Sequence, residues 1–307
     1  NFAAVNVPMP AGFDALTLYA NLPTLIADRH GLVEGFQPYN WSIFMSLGLT
    51  LFNSVEVSFG LSWLGGLLSV FALYSLSRNW LKVDINHTML GLLVFTVIPA
   101  FYLQSYGEIK VDLGLLFVYL SILILLLGYA KAYIFPDAQP AKDSIQPASQ
   151  GSQSVIGMLG ILTGFAVGIK LTTLYFSLAL LCTFWFYYHG KRGFFAALSA
   201  SLGLIFLLKV DQVAGLRQFH LGVTRLQWVL FACSALLALG ILTAENAKFW
   251  QSLRKTIIYG CFAALAFSPW IVKNYIDSRS LSPQVLLNGV QPQPNLNIDL
   301  STNPTNQ

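Results

Sequence analysis

Charge is scarce in this chain: 17 Lys and Arg and 13 Asp and Glu make up 10% of its 307 residues, against about 25% in a soluble globular protein. Water is therefore not the main solvent of the folded chain. Cysteine is nearly absent, and Cys182, Cys233 and Cys261 lie inside apolar runs without zinc-type or disulfide spacing. They are expected to pack as small hydrophobes. The formal charge of +4 is spread without a Lys/Arg block, which excludes a nucleic-acid footprint. There is no GxSxG, phosphate loop or HExxH, and the four histidines are scattered, so the patterns of soluble nucleotide-driven or charge-relay chemistry are missing. His87 and His189 fall in connections and carry no expected role. The first 40 residues lack the basic and apolar regions of a signal peptide, and no fixed-period repeat is visible.

What is present is apolar length. Hydrophobic residues make up 55% of the chain and the mean hydropathy is +0.63. A bilayer core of about 30 Å needs roughly 20 apolar residues per helix, and only helices or closed barrels satisfy their backbone in lipid. The runs are continuous rather than alternating, which predicts an all-α, polytopic transmembrane bundle and not a barrel. Eight spans are expected, at about Val57–Ser77, Thr88–Gln104, Leu113–Ala130, Val155–Ile169, Leu171–Tyr188, Gly193–Leu208, Trp228–Thr243 and Ile257–Val272. The shorter run Ile43–Phe52 is expected at the interface or just before the first span.

The organisation follows: an outer loop with interfacial helices at 1–56, a first transmembrane group at 57–130, a Pro/Ser/Gln-rich cytoplasmic linker at 131–154, a second group at 155–275 and a polar outer tail at 276–307. Alternating spans put 78–87, 131–154, 189–192 and 244–256 on one side, with nine of the 17 Lys and Arg. Dense basic loops stay cytoplasmic, so residues 1–40 and the tail face outward. A segment outside needs a signal or helix to carry it across, so a helix upstream of Asn1 is expected.

Charges that border spans are costly, about 2.5 to 3.5 kcal/mol each at the membrane centre. Four outer clusters stand out. Asp14 precedes Asp28, Arg29, His30 and Glu34, readable as a solvated, helix-capping loop or as part of a site. Glu108, Lys110 and Asp112 form EIKVD, either a solvated helix cap or a base or cation-binding carboxylate pair. Lys170, with Thr172 and Thr173, interrupts a run too long for one helix and predicts an outer turn; it either snorkels or meets a phosphate. Finally, Pro269 and Trp270 are expected to end a span, with Lys273, Asn274 and Arg279 beyond. The glycines at 160, 164 and 168, four apart, predict a helix packed closely within the bundle.

In chain order, the segment GFDALTLYANLPTLIADRHGLVEGFQPYNWSIFMSLG, the stretch IPAFYLQSYGEIKVDLGLLFVYLSI, the helix GMLGILTGFAVGIKLTTLYF and the boundary FSPWIVKNYIDSRSL resemble the GT-C superfamily of membrane glycosyltransferases. The likeness is to bacterial relatives of the protein O-mannosyltransferases and aminoarabinose lipid A transferases. It covers about residues 10 to 285. It implies a GT-C fold in the bacterial inner membrane and transfer of a sugar from a polyprenyl-phosphate donor to a lipid, glycan or protein acceptor at the outer face. By position, Asp14, Asp112 and Glu108 take the catalytic places, and Lys110, Lys170 and Lys273 the donor phosphate. No cofactor is implied beyond a divalent cation; membrane lipids are the other partners. Two readings of another class are a non-catalytic subunit of a larger membrane complex that kept this fold, and a transporter, for which inverted repeats are not visible.

Overall fold

A computed structural model describes residues 21–33, 38–102, 104, 110–134, 148–208, 228, 231–232, 235, 246–281 and 283–288. Asp14, Glu34 and Glu108, Cys233 and most of the expected span Trp228–Thr243 lie outside these residues. Among the described residues the protein is all-helical. The helices are α1 (Asn21–Arg29), α2 (Asn40–Phe52), α3 (Val55–Ser75), α4 (Ile85–Val97), α5 (Pro99–Tyr102), α6 (Asp112–Tyr129), α7 (Ala148–Ile169), α8 (Thr173–Leu208), α9 (Asn246–Ser278) and α10 (Pro283–Asn288). Single π-helical turns, Leu76–Trp80 and Ala130–Ile134, extend α3 and α6.

Four helical stretches are long and apolar enough to cross a bilayer: Val55–Trp80, Asp112–Tyr133, Ser152–Ile169 and Phe249–Ser278. They contain four of the expected spans, Val57–Ser77, Leu113–Ala130, Val155–Ile169 and Ile257–Val272. The second expected span is shorter than predicted, because α4 ends at Val97 and Ile98 turns extended (φ −58°, ψ 130°). Pro99 follows, and a residue before proline is pushed out of the helical region. The expected pair Leu171–Tyr188 and Gly193–Leu208 corresponds to two helical segments within α8 that meet at a break at Gly190 (φ 61°, ψ −146°), a conformation open to glycine.

Pro269 does not end a span, contrary to expectation; α9 runs through it to Ser278. Proline leaves the carbonyl four residues earlier without its amide donor. Here the Ser268 hydroxyl donates to that carbonyl, Leu265, at 2.8 Å, so the helix continues.

Alternating chain direction builds two polar ends around an apolar middle. The run Ile43–Phe52 lies within α2, directly before the first span, and Trp41 and Met45 of this helix are buried in the core with Val111, Leu115, Val118 and Ile169. The chain reverses into α3 through Asn53 in the left-handed region (φ 48°), whose N–H bonds the Leu49 carbonyl, a common helix-ending device. Trp41 fits because Gly65 and Gly114 leave it room; a Cβ on Gly114 would stand 2.4 Å from the indole. Close approach also joins α7 to α9. A Cβ on Gly160 would lie 2.4 Å from the Tyr259 carbonyl, and one on Gly164 2.1 Å from that of Ala263. Glycines four apart let two backbones meet, as in membrane helix pairs generally.

Candidate functional site

Asp112 opens α6 and Lys170 occupies the non-helical step between α7 and α8. Their ends meet: Lys170 Nζ donates to Asp112 Oδ1 at 2.8 Å, with side chains 43% and 33% exposed. The carboxylate also sits at the positive end of the α6 dipole. Beneath the pair, the Thr173 hydroxyl donates to the Ala166 carbonyl at 3.1 Å. Its single proton is thus committed, so Tyr119 donates to Thr173 at 2.9 Å. Tyr119 in turn stacks on Phe176, with ring centroids 4.1 Å apart. This scaffold fixes the end of α7 against α6 and α8.

A second ion pair is more deeply placed. Lys273 Nζ donates to Asp277 at 2.8 Å, one turn along α9, with side chains 6% and 14% exposed. Nearby, Trp270 Nε1 donates to Asn40 Oδ1 at 2.9 Å, and Asn40 Nδ2 donates to the Phe165 carbonyl at 2.9 Å. A Cβ on Gly168 would collide with Asn40 at 2.1 Å, so the glycine opens space for this bridge. Asn274 Nδ2 reaches the Leu286 carbonyl at 2.8 Å, which folds α10, the start of the expected polar tail, back on α9. Tyr39 packs edge-on against Trp270; its hydroxyl accepts the Val33 N–H at 2.5 Å and donates to the Val33 carbonyl at 3.2 Å. Burial pushes the Tyr39 phenol up to about 12, with the Val33 N–H pulling down and the Asp277 charge pushing up.

Of the expected site residues, Asp112 and Lys170 are brought together. Lys110 stands two residues before Asp112, and its carbonyl accepts the Ser62 hydroxyl at 3.3 Å. Lys273 is occupied by Asp277 on α9. Asp14 and Glu108 belong to the residues not described. Among the described residues no three or more His, Cys, Asp or Glu converge to hold a metal ion, and Asp112 faces the Lys170 ammonium.

Sequence reasoning passed over the other end of the bundle. There Lys255 Nζ donates to Tyr188 at 2.8 Å and to Tyr129 at 2.9 Å, and lies 4.8 Å and 5.6 Å from their ring centroids. The two phenol oxygens are themselves hydrogen-bonded, and Ser152 donates to Tyr129 at 3.3 Å. His189 is also engaged rather than idle: Nε2 lies 3.0 Å from the Ser252 hydroxyl and the ring stacks on Trp185 at 5.2 Å. Trp185 Nε1 donates to Thr256 at 3.0 Å. His87 pairs with Asp84, which caps α4 by accepting the His87 N–H at 3.0 Å; those hydrogen bonds, the backbone one first, hold the Asp84 carboxyl below its usual range.

The four candidate spans and their apolar surfaces make this a membrane protein by composition and length. Comparison with known proteins adds no relative: no protein-family model, no curated protein and no solved structure matches the chain.

Proposed function

We propose that the protein is a GT-C-like glycosyltransferase of the bacterial inner membrane, moving a sugar from a polyprenyl-phosphate donor to an acceptor hydroxyl at the outer face. The eight-span count, the outward orientation of the Asp112 end and the donor class belong to this reading. The observation that carries it is the half-exposed Lys170–Asp112 pair, held by three helices at one end of the bundle. A lysine there can exchange a carboxylate for a donor phosphate by charge-assisted contact.

The chemistry balances without a nucleotide. The acceptor oxygen bonds to the anomeric carbon, the bond from that carbon to the phosphate oxygen breaks, and the electron pair leaves with the polyprenyl phosphate. The acceptor proton passes to a carboxylate, Asp14 in this reading, with Glu108 and Asp112 beside it. Lys170, Lys110 and Lys273 would stabilise the departing phosphate.

Purified protein in nanodiscs, supplied with a polyprenyl-phosphate-linked radiolabelled sugar, tests it. Transfer should fall about 100-fold or more in Asp14→Asn and comparably in Asp112→Asn or Lys170→Met. Undiminished transfer in all three variants would remove the site. A non-catalytic subunit is the second reading. It draws on α4, whose buried residue is Thr88 while Met89, Leu90, Leu93, Val94 and Val97 are more than half exposed, a face that lipid or another subunit would cover. Absence of any transfer by the intact chain, with a stable partner bound along α4, would favour it.

A further inference from the structure

An apolar groove of about 660 Å³ opens sideways between α3, α6 and α7. That is within the roughly 300–1,000 Å³ of small-molecule sites. It is lined by Leu68 and Phe71 from α3, Leu125 from α6 and Met158 from α7. These positions occupy the half of the bundle away from Asp112. The groove's far end is bounded by Gly128, Ala132 and Tyr133. Directly before Ala132 of that rim, Lys131 is exposed and holds its ammonium 5.9 Å from the Trp80 ring centroid. Trp80 itself reaches the rim, 3.7 Å from where a Cβ on Gly128 would stand. Among the described residues no carboxylate pairs with Lys131.

We propose that this groove holds one acyl chain of an anionic phospholipid from the adjacent leaflet, with the headgroup phosphate on Lys131 and the Trp80 indole at the headgroup level. Two observations choose this occupant. The groove is lined almost wholly by hydrocarbon, with Ser121, Tyr129 and Tyr133 the polar exceptions, which suits a chain and not a soluble metabolite. The basic groups near the groove are Lys131 next to the rim and Lys255, which donates to Tyr129 of the lining, and charge of this sign at the end of a span attracts anionic headgroups. Tryptophan beside a cation at a span end matches the polarity gradient of that depth. The site is independent of the Asp112 end, and it stands whether or not that end transfers sugar.

Native mass spectrometry of the detergent-purified protein, titrated with phosphatidylglycerol and separately with phosphatidylcholine, tests the proposal. Phosphatidylglycerol should bind several-fold more tightly. Lys131→Gln should reduce that preference about fivefold, the effect of one surface lysine, while Lys131→Arg keeps it. Met158→Trp, which fills the groove, should weaken both lipids with the thermal midpoint little changed. Equal binding of the two lipids, or a preference that Lys131→Gln leaves intact, would overturn the headgroup assignment. Competition by glycerol phosphate as strong as that of the whole lipid would overturn the chain assignment.

Discussion

The two ends of the bundle satisfy their lysines by different means. At the Asp112 end, Lys170 and Lys273 each meet a carboxylate at 2.8 Å, so the assembled groups are neutral. At the opposite end, Lys255 is held by two phenols and their rings and Lys131 by an indole, so the positive charge survives folding. Neutral pairs depend on geometry and exposure; cations held by aromatic groups depend also on what lies outside the protein. Among the described residues, one end holds its lysines in ion pairs and the other holds them against aromatic rings.

The largest test of this contrast is to unbalance a pair at each depth. Lys273→Met strands the Asp277 carboxylate, which is 14% exposed, and should lower stability by about 3–5 kcal/mol, the usual result of breaking a buried pair. Lys170→Met breaks a pair that is a third or more exposed and should change stability by under about 1 kcal/mol. Thermal unfolding in one detergent measures both, and equal losses would erase the distinction between the two ion pairs.

A smaller effect is expected at the aromatic end. Lys255→Met removes two hydrogen bonds from an ammonium but leaves phenols that still bond each other, so the loss should be about 2 kcal/mol. A loss as large as that of Lys273→Met would mean that the tyrosines depend on the cation as a carboxylate does.

The smallest test is pH. Tyr39 has an ordinary value near 10 when unfolded and about 12 when folded. A raised folded value means the native state binds more protons between those limits, so its contribution is full below about pH 10 and lost as pH rises through about 12. The melting temperature of the wild type should therefore fall more steeply across that window than that of Tyr39→Phe. Parallel curves would show that the phenol is not held neutral by the fold.

How much of this was legible depends on range. Apolar runs of span length announce α3, α6, α7 and α9, because the bilayer demands length and continuity. The turn at Lys170 is legible for the same reason: the run around it is too long for one helix. Pro269 misleads because its rescue comes from Ser268, a neighbour whose hydroxyl has many possible acceptors in a linear reading. Asp277 follows Lys273 at helical spacing, and only the wrongly placed helix end hid their pairing. The Lys255 cluster had no local signal at all, since Tyr129 and Tyr188 come from α6 and α8 and lie 126 and 67 residues away.

The glycines of α7 also decide where lipid can pass. Against α9 the backbones stand so close that even a methyl group on Gly164 would meet the Ala263 carbonyl at 2.1 Å, and a hydrocarbon tail is far thicker than a methyl's clearance. That flank is a sealed seam. An acyl chain in the proposed groove would lie on the opposite side of the same helix, beside Met158 and Leu162, so α7 has one face closed by glycine and one face open.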